Sequence, residues 1–199
     1  MRRFNLIISI LFSLGFIAQG SLSVAAQKAD AQAGAGQVVA SDIKLNKLFE
    51  SLKQAPSEAQ ARSIEADIWQ HWTLSGVPAI DRLMKQAKLL ASRGHYEPSL
   101  GLLDRIIFEQ PTYSEGWNRK ATVLFFMMRD EESLKAIAKV LSLEPRHFGS
   151  LAGKAMIEMR AEKWADALAT LRRAVKIHPF LKERHFIKFL KKQLKIREL

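Results

Sequence analysis

Cysteine is absent from this chain of 199 residues. Its absence excludes disulfide bonds, thiolate catalysis, thiolate metal sites and lipid attachment to a cysteine that follows a signal peptide. Only two tyrosines accompany eleven phenylalanines and four tryptophans, so most of the apolar residues are aliphatic. No pattern of glycine, proline or β-branched residues indicates a sheet. The length allows one helical domain with appendages.

Motifs for catalysis and metal binding are also missing. The five histidines have neither the H-x3-H nor the H-E-x-x-H spacing of zinc sites. The sequence contains no G-x-S-x-G nucleophile motif and no phosphate-binding P-loop. We therefore predict that the chain is not an enzyme and that it uses no cofactor and no metal ion. A role as the accessory subunit of an enzyme remains a further alternative.

Proline recurs with a fixed period in the second half of the chain. Pro111, Pro145 and Pro179 each lie 34 residues from the next. Windows of 34 residues can therefore be laid on top of one another, over 80–113, 114–147 and 148–181. A period of this length is typical of helix–turn–helix hairpins that stack side by side.

The three windows agree in residue type at several positions. The eighth position, where two helices must approach closely, is always small: Ala87, Ala121 and Ala155. The twenty-fourth position, which fills the interior of the hairpin, is always large and apolar: Leu103, Ile137 and Leu171. Coincidental proline spacing in a generic helical bundle is the alternative interpretation.

These positions resemble the tetratricopeptide repeat pattern, W-x2-L-G-x2-Y…A-x3-F…P. The resemblance covers 80–181 and implies an all-α fold, an α-solenoid of three helix-turn-helix repeats. One departure concerns the eleventh position, which is usually aromatic in the family. It is Leu90 and Leu124 in the first two windows and Glu158 in the third, which predicts a less tightly filled third repeat.

The N-terminus has the order of segments found in a secretory signal peptide. Two arginines precede an apolar run over 4–18, and small residues follow at Ser23, Ala25 and Ala26. We predict cleavage after Ala25 or Ala26, which makes 1–26 a signal peptide and places the protein in the periplasm. An uncleaved inner-membrane anchor is the alternative, although the apolar run is shorter than the ~20 residues that span a bilayer.

The segments that flank the windows are predicted to be a linker and two caps. Residues 27–41 lack an apolar face and indicate a flexible linker. Residues 42–79 predict a capping pair of helices, with capping-box spacing at Ser57 and Gln60. We expect this pair to cover the first repeat. Residues 182–199 predict a basic helix that caps the third repeat, or else contacts anionic lipid or an acidic partner.

The net charge of +11 permits an acidic partner, an anionic membrane surface or nucleic acid. Export argues against nucleic acid, so we expect a protein or peptide partner with acidic and apolar groups. The family resemblance implies a groove lined by the first helix of each repeat. Carried onto this sequence, its binding residues are Lys85, Lys88, Asn118, Arg119, Thr122, Phe125, Met156 and Arg160. Alternatively, the methionines and phenylalanines among the groove positions are core residues that contact the C-terminal cap.

The groove departs from one version of the family pattern. Some members clamp a peptide carboxylate with basic and amide side chains, and Lys85, Asn118 and Arg119 are similar to that lining. The third window instead has Gly149 and Gly153 where further basic residues are expected. The complete carboxylate clamp is therefore not reproduced.

Overall fold

The computed structural model describes residues 42–197, with side chains up to Lys195. The predicted signal peptide and linker lie outside these residues. The chain divides into two compact units, 1–44 and 45–199, and the contacts described below lie within the second unit. Within the described range, regular structure is helical, and the helices are α1 (42–53), α2 (Glu58–Thr73), α3 (Pro78–Ser92), α4 (Tyr96–Glu109), α5 (Ser114–Phe126), α6 (Asp130–Leu143), α7 (Phe148–Arg160), α8 (Trp164–Ile177) and α9 (Phe186–Arg197).

Each 34-residue window contains one pair of helices: α3–α4, α5–α6 and α7–α8. The first helix of each pair ends before a residue with positive φ, and this residue occupies the same position in all three windows. The three residues are Gly94 (φ 78), Met128 (φ 60) and Glu162 (φ 55). The same turn geometry is therefore used in each pair, including two positions where a side chain makes that conformation less favourable.

A recurring hydrogen bond explains why the eighth and twentieth window positions are small. Ser99 Oγ donates to the carbonyl oxygen of Ala87 at 2.9 Å, and Ser133 Oγ donates to that of Ala121 at 2.8 Å. In the third pair the equivalent residue is Ala167, which is fully buried. Small side chains at both positions let the two helices of each pair approach closely.

The boundaries of α2 are set by a capping serine at its start and by the proline that begins α3. Ser57 caps α2, and its Oγ accepts a hydrogen bond from the Gln60 N–H, as the capping-box spacing indicates. Helix α2 ends at Thr73, and Pro78 is the first residue of α3, where its missing N–H costs no helical hydrogen bond.

The position of α1 and α2 differs from the expectation that they cover the first repeat. Leu52, Ile68 and Trp72 share one buried cluster with Phe148 and Leu171 of the third pair. The C-terminal end of α2 then approaches the turn between α4 and α5, where the Tyr113 hydroxyl donates to the carbonyl oxygen of Thr73 at 2.6 Å. Helix α2 therefore crosses from the third pair to the second before the chain enters α3.

The basic C-terminal segment begins as a 3₁₀ turn over Lys182–His185 and continues as α9. Leu190 is fully buried in the cluster that contains α7 and α8, with Phe186 and Leu194 packed against it. The lysines of α9 remain exposed. Among residues 42–197, no helix has both the length and the apolar character needed to cross a bilayer.

Candidate functional site

The eight residues assigned to the groove lie on the first helices of the three pairs. Lys85 and Lys88 are on α3, four residues are on α5, and Met156 and Arg160 are on α7. The structure separates them into three environments: a buried polar network between α5 and α7, a cluster around Arg160 at the ends of α5 and α7, and an exposed surface between α3 and α5.

The buried network is centred on Glu115, which is fully buried at the start of α5. Its carboxylate accepts hydrogen bonds from Arg119 Nε at 2.5 Å and Asn118 Nδ2 at 2.8 Å. His147 Nε2 lies 3.4 Å from the second carboxylate oxygen. Asn118 and Arg119 therefore satisfy an internal charge. Neither is the freely available ligand contact that the sequence assigns to the groove.

Helix α7 completes this network. The Ser150 N–H donates to His147 Nδ1 at 3.1 Å, so the neutral imidazole carries its hydrogen on Nε2 and donates it to Glu115. Ser150 Oγ donates to Asn118 Oδ1 at 2.7 Å, and the Thr122 hydroxyl donates to the Asn118 carbonyl oxygen at 2.9 Å. The network fixes α5 against α7.

The pKa of Glu115 reflects this environment. Burial alone raises the pKa of a carboxyl group, but the hydrogen bond from His147, the charge of Arg119 and the hydrogen bond from Asn118 outweigh it. The pKa of Glu115 is therefore held below its ordinary value. Glu115 is an ionised structural centre.

Helix α2 packs against this network. Trp72 stacks on His147 with ring centroids 4.1 Å apart and an angle of 7° between the planes. The rings of Trp69 and Phe148 are nearly perpendicular, with centroids 5.6 Å apart. The guanidinium of Arg119 lies 5.9 Å from the Trp69 ring centroid. The part of the predicted groove at the start of α5 and α7 is therefore filled by the chain itself.

Gly149 provides the room for this packing. A Cβ atom at Gly149 would lie 2.7 Å from Trp69 Cη2, which is closer than real Cβ contacts. Gly149 is one of the two positions where the carboxylate clamp of the family would have a basic residue. The missing side chain is explained by the close approach of Trp69, a contact between residues that are far apart in sequence.

We predict that Gly149→Ala lowers the free energy of unfolding by about 1–3 kcal/mol, because the added methyl group displaces the Trp69 ring. Gly153→Ala, one turn later in α7, is the matched control. Its Cβ would meet only Ile137 Cδ1 at 3.9 Å, and alanine gains up to about 1 kcal/mol of helix propensity. Urea titrations followed by circular dichroism should therefore give changes of opposite sign. Equal changes would contradict the packing of Trp69 on Gly149.

The second environment is the cluster around Arg160. This side chain pairs with Asp130, and its guanidinium lies 4.3 Å from the Phe125 ring centroid. Its Nη1 also contacts Met128 Sδ at 2.8 Å. Because Asp130 neutralises Arg160 and Phe125 is half-buried beneath it, these residues fix the end of α5 against α7. Met156 is half-buried on α7.

The exposed surface lies between α3 and α5. A cavity of about 280 Å³ opens there, lined on its polar side by Lys88, Arg119 and Thr122 and on its apolar side by Val123 and Phe126. We call it the α3–α5 cavity. Phe126 is 60% exposed. The structure thus brings three of the predicted groove residues together around an apolar depression.

Two lysines of α3 add positive charge to this surface. Lys85 and Lys88 are exposed, and neither forms an ion pair with another residue of the described part of the chain. Leu89 beside them is 49% exposed. Within the same range, no group of three or more acidic or histidine side chains is arranged to hold a metal ion.

Comparison with known proteins finds no matching family model. A TPR repeat-containing protein of Rhizobium etli is 35% identical over 136 residues, which are 68% of this chain and 67% of that protein.

Similar solved structures include the Sgt2 TPR domain from Aspergillus fumigatus, with a TM-score of 0.57 and 10% identity over 61% of this chain and 83% of that one. The TPR2B domain of yeast Sti1, in complex with pHsp70, gives a TM-score of 0.53 and 16% identity over 59% and 97%. The structure of MamA AMB-1 gives a TM-score of 0.52 and 14% identity over 80% of this chain and 85% of that one.

The solved structures agree with the all-helical architecture and with the fold class that the proline period predicts. The Rhizobium etli relative establishes the relationship in sequence. This chain belongs to the tetratricopeptide repeat family.

Proposed function

We propose that the protein is a non-catalytic interaction scaffold that binds a peptide or protein segment with acidic and apolar groups at the α3–α5 cavity. The observation that carries this proposal is the combination of exposed Lys85 and Lys88 with an apolar depression whose rim is Phe126. The TPR2B domain of yeast Sti1 forms a complex with pHsp70, so this fold is compatible with partner binding.

The charges and the apolar depression have separate roles in this proposal. Lys85 and Lys88 attract acidic groups and raise their local concentration, an effect that salt screens over about 8 Å at 0.15 M. The depression beside Val123 and Phe126 accepts an apolar side chain, and buried aromatic contacts contribute strongly to binding energy. Arg119 adds positive electrostatic potential at the rim of the cavity while remaining paired with Glu115.

A peptide panel tests this proposal. Decapeptides with a central leucine flanked by two glutamates should bind more tightly than versions with glutamines or with alanine in place of leucine. Lys88→Glu should weaken binding of the acidic peptide about tenfold or more at low salt, since it replaces attraction by repulsion. Isothermal titration calorimetry at two salt concentrations measures both effects.

Arg172→Glu is the control, because Arg172 is exposed on α8, away from the α3–α5 cavity. Equal losses of peptide affinity in Lys88→Glu and Arg172→Glu would mean that the effect reflects only the net charge of the protein. Arg119→Glu is a poor test, since it would place a second carboxylate against buried Glu115.

For location, we propose export to the periplasm with removal of residues 1–26. The order of positive, apolar and small residues supports this proposal. N-terminal sequencing of the protein from its native host should begin near Gln27. A chain that retains its first three residues would instead favour the inner-membrane anchor.

Association with a membrane surface through α9 is the alternative function. Lys188, Lys191, Lys192 and Lys195 are exposed on this helix, and Phe189 beside them is 42% exposed. Such a face suits anionic headgroups. Sedimentation with vesicles of anionic and of zwitterionic lipid distinguishes this alternative, because only charge-dependent association supports it.

A further inference from the structure

A second cavity lies between α6, α7 and α8, and we call it the α6–α8 cavity. Its volume is about 330 Å³, within the range of small-molecule sites. Leu134, Ile137, Leu141 and Ile157 form its apolar walls. The α6–α8 cavity shares no lining residue with the α3–α5 cavity, so an inference about it does not depend on the proposed function.

The cavity lies beside the residue at which the third window departs from the other two. At the eleventh position, Leu124 is fully buried in the apolar cluster that α5 forms with α3 and α4 of the first pair. Its counterpart in the third pair is Glu158, which lines the α6–α8 cavity. A carboxylate stands where the family carries a large apolar side chain, and the space around it is left unfilled.

The carboxylate of Glu158 is only half satisfied. Its Oε1 accepts a hydrogen bond from Lys154 Nζ at 2.6 Å. Its Oε2 is buried and has no hydrogen-bond partner in the structure, and the residue as a whole is 7% exposed. Buried acceptors without partners are rare, because the lost hydration is not replaced. Glu158 lines the cavity, so its unpaired acceptor becomes available to a donor there once the carboxyl group turns toward the cavity.

The charges around the cavity are already balanced. Lys154 and Lys163 line it together with Glu158 and Asp166, and Lys154 neutralises Glu158 directly. A charged ligand would lose its hydration without gaining an uncompensated counter-charge. An uncharged ligand with one N–H or O–H group would satisfy Oε2 and place its apolar part against the walls.

We propose that the α6–α8 cavity binds an uncharged apolar group that carries a single hydrogen-bond donor, with the donor directed at Glu158 Oε2. This chemistry is found both in small neutral molecules and in the indole ring of a partner's tryptophan. A site that hydrogen-bonds one group discriminates strongly against analogues that lack it.

Indole and benzofuran form a matched pair of probes, since they have nearly the same shape and differ in the N–H donor. Titration of the full chain, followed by the methyl resonances of Ile137, Leu141 and Ile157, should show saturable shifts with indole. Benzofuran should bind about tenfold more weakly, the ratio expected for one buried hydrogen bond. A blocked tripeptide with a central tryptophan distinguishes the two sources. It should bind if the natural ligand is the tryptophan side chain of a partner, and it should fail to bind if the cavity accepts only a free small molecule.

Two variants make the test specific. Glu158→Leu installs the residue found at this position in the other two windows, and it should abolish the indole shifts while the protein remains folded. Glu158→Gln can turn a donor toward the cavity and should remove the preference for indole over benzofuran. Equal affinity of the two probes for the wild-type chain would overturn the proposal, as would undiminished indole binding in Glu158→Leu. Absence of saturable binding would identify the cavity as a hydrated void and overturn it as well.

Discussion

Trp72→Ala is expected to lower the free energy of unfolding by about 3–5 kcal/mol, the range for removing a buried aromatic side chain. Trp72 is 5% exposed. It stacks on His147 and has its ring centroid 5.1 Å from Phe148 and 5.8 Å from Phe49. The substitution leaves a cavity at the point where α1, α2 and α7 meet, so the loss should appear in global unfolding.

Trp72→Phe is the control for this prediction. The indole Nε1 of Trp72 is buried without a hydrogen-bond partner, so its removal breaks no hydrogen bond. A phenyl ring retains most of the packing, and the expected cost is below about 1.5 kcal/mol. Urea denaturation followed by far-ultraviolet circular dichroism measures both variants. A loss in Trp72→Ala as small as the loss in Trp72→Phe would mean that the aromatic ring is not essential to the attachment of α2.

Glu115→Gln is the second substitution with a large expected effect. It removes the charge that Arg119 neutralises and one of the acceptors that His147 and Asn118 use. Breaking a buried ion pair from one side typically costs about 3–5 kcal/mol. The pair Arg105–Glu109 has the same i,i+4 spacing but lies on the surface, so Glu109→Gln should cost at most about 1 kcal/mol. Similar costs for the two variants would contradict the assignment of Glu115 as the centre of the α5–α7 contact.

The Glu115 contribution also depends on pH. Its folded-state pKa lies below its ordinary value, and the unfolded value is about 4.3. The stabilisation is therefore complete above the unfolded pKa and is lost as pH falls through the folded-state pKa. The part of the difference in unfolding free energy between wild type and Glu115→Gln that comes from the Glu115 charge should therefore shrink as the buffer becomes strongly acidic.

The helix pairs could be predicted from the sequence because their signals are local. Proline spacing, alanine at the eighth position and capping at Ser57 depend on residues within one hairpin, and the structure places a helix pair in each window.

The position of α2 could not be read in the same way. The first repeat offers an apolar surface next to it in sequence, but Trp69 and Trp72 pack on His147 and Phe148. The residues that determine this packing are far apart in the sequence: two tryptophans three residues apart on α2, and Gly149 on α7. Neither indicates the other until the chain is folded.

The binding residues were only partly predictable for a related reason. A family position specifies which side of a helix a residue occupies, and not whether a neighbouring helix covers it. Asn118 and Arg119 face the concave side, but Glu115 and Ser150 use their hydrogen-bonding groups. Lys85 and Lys88 are exposed on α3, and no described residue forms an ion pair with either.

The most direct test of the central claim is to locate a bound acidic peptide on the concave surface. The claim is that the partner occupies the α3–α5 cavity while α2 stays in place on α5 and α7. The leucine-centred acidic peptide, carrying a nitroxide label, should broaden the methyl resonances of Ala87, Ala91 and Val123 in the full chain. The methyl resonances of Ala152 and Ala155, which belong to the cluster with Trp72, should be unchanged. Broadening that is strongest at Ala152 and Ala155 would contradict the claim, because it would mean that the partner replaces α2.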